Sequence, residues 1–349
     1  GAVLNLEGSE IAVITNVEGY LQLEVFSVNS WTKIYSLTGK MVGSLKWSRD
    51  GLSLAITLES SIEPSAIWIW SKKTKELTQF TDHDSKVPLD SFVNETLESY
   101  LSFDGLKIST LVYLPKKINS KLPVIINLHG GPESQSQPLF SSLIQYFLSR
   151  GYAFISPNVR GSTCYGKTFS TLDNIRKRMD SVKDMVALRE YLKTKSEIDI
   201  DKLVLFGGSY GGFMVLAGLA FYPNLWAAGV CTVGISNFTT FLKNTAPYRR
   251  KLRENKYGSL ENDYDFLKSV SPYYSADKII APLILIHGAN DPRVPLSEAE
   301  QMAEILKSKN RAVELLVYYD EGHGLAKLKN RLDAYPKMID FLDKNLKRK

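Results

Sequence analysis

Cysteine and histidine are scarce in this chain, with two of the former and four of the latter in 349 residues. Cys164 and Cys231 form no CxxC pair, and two cysteines are too few for a disulfide scaffold. A reduced, cytoplasmic compartment is the expectation. With so few ligands of either kind a dedicated zinc site is not expected, and neither metal nor cofactor enters the reading. Long apolar runs are missing too. No stretch reaches the roughly 18–20 uninterrupted apolar residues needed to span a bilayer, so no membrane partner is expected. The opening residues, GAVLNLEGSE, lack the basic start and apolar run of a signal peptide. They also lack an initiator Met, which points to a chain that begins inside a longer protein. Charge of one sign is not concentrated. Lys and Arg number 43 against 37 Asp and Glu, a net charge of +6. The basic residues are spread along the chain, apart from a short tail of Lys347, Arg348 and Lys349. A nucleic-acid face needs clustered basic residues and a reading motif, so no nucleic-acid partner is expected. What is present is ordinary globular composition, 44% hydrophobic and 23% charged, with length for about two domains.

The first stretch, residues 1–95, reads as short β-runs between polar turns: IAVITN (11–16), LQLEVFSV (21–28), SLAITLE (53–59) and AIWIWSK (66–72). Turn signals fall at Glu18-Gly19, Thr38-Gly39-Lys40 and Ser48-Arg49-Asp50-Gly51. Alternation places Leu21, Leu23, Val25 and Ser27 on one strand face. A propeller blade takes about 40–45 residues, so the stretch holds about two blades, below the roughly four needed to close a ring. A partial, truncated β-propeller whose other blades lay upstream is the expectation. LKWSRDGLSLA (45–55) suits either a blade or one ordinary hairpin.

From residue 96 to 349 the rhythm changes. A hairpin is expected over 99–115 with its turn at Asp104-Gly105. Continuously apolar strands follow in KLPVIINLHGGP (121–132), YAFISPNVRG (152–161), DKLVLFGGSYGG (201–212), AAGVCTVG (227–234), PLILIHG (282–288) and VELLVYYDEGHG (313–324). Helices are expected over 138–151, 185–196, 213–223 and 335–346. Apolar strands alternating with helices imply an α/β fold, a mostly parallel sheet covered on both faces.

Gly207-Gly208-Ser209-Tyr210-Gly211 matches G-x-S-x-G between a strand and a helix, the context of a nucleophile elbow. Gly207, Gly211 and Gly212 would leave room for the strained turn. A serine hydroxyl needs a base. His83 lies in the β-rich start, His129 in the HGGP turn, and His287 at a strand end where a core histidine is usual. His323 sits between glycines just past the last strand and is the expected general base. Asp291, from the neighbouring strand end, is preferred to Asp320 as its orienting acid. The order Ser, Asp, His is that of the α/β-hydrolase arrangement. The oxyanion hole is assigned to the backbone N–H groups of Tyr210 and Gly131.

Together HGGP (129–132), NVRGSTCYG (158–166), GGSYGG (207–212), HGANDPRVP (287–295) and DEGHG (320–324) resemble the prolyl oligopeptidase family of serine peptidases, most closely its acylaminoacyl-peptidase-like branch. The resemblance covers about residues 95–349. It implies an α/β-hydrolase domain capped by an N-terminal β-propeller, and catalytic Ser209, Asp291 and His323. The implied substrate is a short peptide or acyl-peptide, because the propeller excludes folded proteins. It also implies that Arg293, two residues after the acid, holds a substrate carbonyl, a task suited to a fixed guanidinium fork. Phe238 and Phe241 would line an apolar substrate pocket. Arg160 would pin loops near the site. Cys164 stands where the family often has glycine and is read as a small buried hydrophobe in preference to a reactive thiol beside the site. With an incomplete propeller, the size filter is absent or rebuilt by forming a homo-oligomer. The rivals to a serine peptidase are a carboxylesterase acting on small esters and a non-catalytic β-propeller binding module.

Overall fold

The computed structural model describes residues 1–82 and 86–346. His83 and the tail residues Lys347, Arg348 and Lys349 lie outside the described residues. The chain divides into two compact units. One holds Gly1–Thr96 with Gln137–Tyr146, the other Leu97–Ser136 with the described residues from Phe147 onward.

The first unit contains two four-stranded antiparallel sheets. β1 (Ala2–Leu4), β2 (Glu10–Val17), β3 (Tyr20–Ser27) and β4 (Lys33–Leu37) form one in sequence order. β5 (Met41–Trp47), β6 (Ser53–Glu59), β7 (Ala66–Ser71) and β8 (Leu77–Gln79) form the other. The turns fall where the sequence places them. Glu18 and Gly19 both have positive φ, as do Gly39 and Gly51. Leu23 and Val25 are fully buried, and Leu21 packs against the same core, so the alternation on β3 points inward. Trp70 fills the centre, stacked 4.8 Å from Tyr35 and edge-on to Trp47 at 6.3 Å. The segment 45–55 is a hairpin within the second sheet, pairing Leu45 with Ile56. Each sheet is a four-stranded meander, the form of a propeller blade.

The second unit is built on an eight-stranded sheet. Its strands are β9 (Thr96–Leu101), β10 (Lys107–Tyr113), β11 (Leu122–Leu128), β12 (Ala153–Pro157), β13 (Ile198–Gly208), β14 (Ala228–Thr232), β15 (Leu283–Gly288) and β16 (Val313–Tyr318). They lie in the order β16-β15-β14-β13-β11-β12-β10-β9. Pairing is parallel from β12 through β11 to β16, and β10 runs antiparallel to β12. Helix α1 (Ser142–Ser149) starts within the first unit's Gln137–Tyr146 segment and ends in the second unit, whose other helices are α2 (Lys167–Ser170), α3 (Arg178–Leu192), α4 (Tyr210–Phe221), α5 (Phe238–Asn244), α6 (Pro247–Tyr257), α7 (Tyr264–Val270), α8 (Ser297–Ser308) and α9 (Leu328–Leu346). Apolar side chains of β11, β13 and β15 meet those of α3, α4 and α8 in one continuous core. Among the described residues no helix is long and apolar enough to cross a membrane.

Helix boundaries depart from expectation for identifiable reasons. α1 starts at Ser142 rather than 138, because the Ser141 hydroxyl accepts from the Ile144 N–H and caps it. α3 starts seven residues before 185. Its first two turns lie outside the expected helix, and Arg178, Ser181 and Asp184 are all buried there. α9 starts at Leu328 and runs through Pro336, which sequence reasoning takes as a helix start. α5 to α8 lie in stretches where no helix was expected.

Candidate active site

The chain leaves β11 for β12 on one side and then crosses back to β13 on the other. At such a reversal the loops leaving the strands' carboxyl ends diverge and open a crevice. The HGGP loop leaves β11 there, and Ser209 leaves β13.

Ser209 has φ 58° and ψ −118°, a conformation that costs a non-glycine residue strain. Two hydrogen bonds hold it. Its N–H donates to the Thr232 carbonyl at 3.0 Å, and its carbonyl accepts from the Phe213 N–H at 3.1 Å in the first turn of α4. The flanking glycines are sites of close backbone approach. A Cβ on Gly211 would overlap the Leu128 carbonyl, and one on Gly207 would meet the Gly211 carbonyl at 2.5 Å. The HGGP loop lies directly against the serine, since a Cβ on Gly130 would sit 3.5 Å from Ser209 Cβ. Gly131 has φ +119°. Its carbonyl accepts from the Tyr257 hydroxyl at 3.2 Å and from Arg253 Nη1 at 3.3 Å.

Of the histidines, His129 is partly buried, with Nδ1 2.8 Å from the Gly130 carbonyl and Nε2 2.8 Å from Ser162 Oγ, and desolvation pushes its pKa down. His287 is buried, and its Nε2 donates to the Val294 carbonyl at 3.0 Å. His323 is different. It follows β16, Asp291 follows the adjacent β15, and His323 Nδ1 donates to Asp291 Oδ2 at 2.7 Å. With Nδ1 as donor, Nε2 carries the lone pair. The Asp291 side chain is fully buried. Burial pushes its carboxyl up, but the bonds from His323 and from the Val294 and Arg293 N–H groups outweigh it and hold the pKa below the usual value. Asp320 is engaged elsewhere, with Lys327 at 2.9 Å and Lys329 at 2.8 Å.

The loop carrying His323 is anchored by Glu321, whose buried carboxylate accepts from the N–H groups of Ala326 (3.1 Å) and Lys327 (2.8 Å) and from Asn330 Nδ2 (2.8 Å). Gly288 lets this loop and the Asp291 loop touch, for a Cβ there would overlap the Gly322 carbonyl.

The remaining expected residues are placed less uniformly. Arg293 donates its N–H to Asp291 and exposes its side chain. Phe238 and Phe241, on α5, are buried in an aromatic cluster, with Phe238 4.7 Å from Phe213 and 5.0 Å from Tyr257 between ring centroids. Arg160 is buried between Asp184 and Asp104, each at 2.8 Å, and packs over Phe103. It ties the β9–β10 turn to α3. Cys164 is exposed, correcting the expectation of a buried hydrophobe. Its φ of 69° explains the relation to glycine, because the backbone there turns left-handed.

Sequence reasoning missed a buried polar cluster under Ser209, formed by Asp173, Arg178, Tyr210, Lys256 and Tyr257. The run TLDNIRKRMD (171–180) carries its charges without the apolar spacing that signals burial. Among the described residues, no group of three or more His, Cys, Asp or Glu is gathered to hold a metal ion.

Comparison with known proteins agrees with this architecture. Dipeptidyl aminopeptidase BIII of Pseudoxanthomonas mexicana is 34% identical over 249 residues, 70% of this chain and 36% of that protein. Acylamino-acid-releasing enzyme 1 of Oryza sativa subsp. japonica is 26% identical over 263 residues, covering 72% and 33% respectively. The chain spans about a third to a half of the length of the curated relatives it matches. A puromycin-hydrolyzing peptidase of Mycobacterium tuberculosis superposes with a TM-score of 0.91 at 22% identity, over 99% of this chain and 53% of that one. Pyrococcus horikoshii acylaminoacyl peptidase gives 0.85 at 23% identity, over 98% and 55%. The fold is thus an α/β-hydrolase preceded by strands of a partial β-propeller. A model of the prolyl oligopeptidase family matches residues 138–349, and the chain belongs to that family.

Proposed function

We propose that this chain is a serine peptidase acting on short peptides, an acylaminoacyl-peptidase-like enzyme that releases a blocked N-terminal amino acid. The observation that carries the reading is the bond between His323 Nδ1 and the buried Asp291 carboxylate, on loops that leave the carboxyl ends of the parallel strands, as the strained Ser209 does. Ser209 Oγ attacks the scissile carbonyl carbon while His323 Nε2 takes its proton. Asp291 holds the imidazole in one tautomer and stabilises the imidazolium. The tetrahedral oxyanion accepts from the N–H groups of Tyr210 and Gly131. Collapse breaks the C–N bond, and His323 returns the proton to the departing amine. Water, deprotonated by the same base, then attacks the acyl-enzyme and frees the acid.

In this reading residues 96–349 form the catalytic domain and residues 1–95 about two blades of a partial propeller, whose size filter is absent or rebuilt in a homo-oligomer. Arg293 holds a substrate carbonyl, supported by its exposure beside the acid. Phe238 and Phe241 wall an apolar pocket, supported by their packing on Tyr257, whose hydroxyl reaches Gly131. The two free cysteines favour a cytoplasmic setting. A second reading, release of dipeptides from a free amino terminus, is favoured by the relative named as a dipeptidyl aminopeptidase.

The test is hydrolysis of an N-acetyl-amino-acid p-nitroanilide, a free dipeptide p-nitroanilide, a prolyl p-nitroanilide and p-nitrophenyl butyrate, by the chain and by Ser209→Ala. Acyl-amide cleavage lost in the variant is the expected result. Dipeptide cleavage alone selects the second reading, and ester cleavage alone a carboxylesterase. Turnover that survives in Ser209→Ala refutes the nucleophile, and a chain inert to every substrate and to serine-labelling reagents favours a binding module.

A further inference from the structure

Arg178 is an arginine with almost no access to water, 1% exposed, at the start of α3. Burying a guanidinium is costly unless it is paired and hydrogen-bonded; here both Nη groups have partners and Nε has none among the described residues. Nη1 pairs with the buried Asp173 and donates to the Tyr210 hydroxyl at 2.9 Å. Nη2 donates to the Lys256 carbonyl at 2.6 Å. Its Cζ lies 5.0 Å from the centroid of Tyr210 and 4.9 Å from that of Tyr257, beside two rings that stack on each other at 6.1 Å. Ser181 Oγ, 3.0 Å away, also meets the Tyr210 hydroxyl.

The two tyrosines are not equivalent neighbours. Tyr210 follows Ser209 directly and opens α4. Tyr257 ends α6, and its hydroxyl donates to the Gly131 carbonyl on the HGGP loop. Arg178 therefore braces, from one side, the stacked pair formed by the residue on the serine side of the crevice and the residue that holds the opposite loop. Lys256 joins the same cluster, with Nζ 2.7 Å from Asp173 and donating to the Ser170 carbonyl at 2.6 Å. The cluster brings two cations to one carboxylate. The surplus positive charge is buried beside Tyr210, the sign that favours an oxyanion nearby.

We propose that Arg178 is a positioning residue for the oxyanion hole, setting the separation of the Tyr210 and Gly131 N–H donors through the two stacked tyrosines whose rings it contacts together. The inference rests on the assignment of those donors made above. Arg178 touches no reacting atom. It acts through rigid contacts, and hydrogen-bond donors misplaced by about 1 Å cost roughly 100-fold in rate.

The experiment compares kcat and KM for an N-acyl-amino-acid ester and its thiono counterpart, in which the carbonyl oxygen is sulfur. Sulfur accepts hydrogen bonds poorly, so a well-set oxyanion hole prefers the oxygen substrate and a loosened one loses that preference. Arg178→Met is expected to lower kcat on the oxygen ester by about 10–100-fold, with KM within about threefold, and to shrink the oxygen-to-sulfur ratio. Arg178→Lys keeps the charge without the planar fork and should recover part of both. Tyr257→Phe removes only the contact to Gly131 and should reduce kcat and the ratio in the same direction. If Arg178→Met does not fold, the other two variants decide. Wild-type kcat and ratio in the folded variants overturns the proposal. So does a fall in kcat at unchanged ratio, which would mean a merely structural role. Ser209→Ala, run alongside, separates the two levels: turnover surviving there refutes the site itself, whereas its loss with an unaltered ratio in the Arg178 and Tyr257 variants refutes only the positioning role.

Discussion

His323 Nδ1 lies 2.7 Å from Oδ2 of Asp291, a carboxylate with no exposure of its side chain. The two come from different loops, 32 residues apart in sequence, brought together because β15 and β16 are parallel neighbours paired Gly288 to Tyr318. Asp291 Oδ1 is occupied by the N–H groups of Arg293 and Val294, so the carboxylate can turn only Oδ2 to the imidazole.

In the proposed reaction this bond selects the tautomer. Asp291→Asn is expected to lower kcat by about 10⁴-fold with the fold intact. Ser209→Ala and His323→Asn should fall at least as far, and combining them should add little, because the three act as one unit. Steady-state kinetics on the acyl-amide checks this; additive losses would break the unit apart.

The depressed carboxyl of Asp291 has a consequence for acid stability. A carboxylate held below its unfolded pKa of about 3.9 stabilises the fold fully above that value. The contribution is lost as pH falls through the folded value. Urea unfolding at pH 5 and pH 2.5 should therefore show the wild type losing more stability than Asp291→Asn over that interval. Equal losses would remove Asp291 from the acid response.

Gly288→Ala tests the contact between the two loops. Its methyl group would overlap the Gly322 carbonyl, and backbone stands on both sides, so neither neighbour yields cheaply. A loss of about 1–3 kcal/mol is expected from overpacking. Since Gly322 adjoins His323, activity should fall further than stability, by about 100-fold for a shift near 1 Å. Denaturation and kinetics on the same preparation compare the two, and full activity with lowered stability would show that the His323 loop absorbs the methyl elsewhere.

Trp70→Ala addresses the blade-like unit. Trp70 is fully buried between β-sheet residues and stacks on Tyr35. Removing so large a side chain should cost about 3–5 kcal/mol. Unfolding followed by the fluorescence of the other tryptophans measures it; a loss below about 1 kcal/mol would mean that the core there collapses around the gap.

Much was legible in the sequence. Alternating and continuous apolar runs report burial on one or both strand faces, so the strands from IAVITN to VELLVYY stand where their patterns put them. Turn glycines read equally well, since a positive φ nearly demands them. Gly19, Gly39, Gly51 and Gly105 all lie in that region. Ser209 between glycines was legible for the same steric reason. α3 was not read to its full length, because Arg178, Ser181 and Asp184 pattern as solvent-facing residues and are buried by partners distant in sequence. Lys256 is the same case, a lysine on a strongly polar helix that ends inside the molecule against Asp173.

The sequence by itself therefore determined the local conformations and the chemical inventory: which runs become strands, where the chain turns sharply, and which serine, acids and histidines are present to react. These follow from short-range sterics and from the period of apolar residues, both written in neighbouring positions. Only the tertiary structure decided which groups meet. Strand order and parallel register bring Asp291 rather than Asp320 to His323, set the HGGP loop against Ser209, and close Asp173, Arg178 and Lys256 into one buried cluster. Such pairings depend on how the sheet is wound, and charge complementarity across eighty residues leaves no periodic trace along the chain.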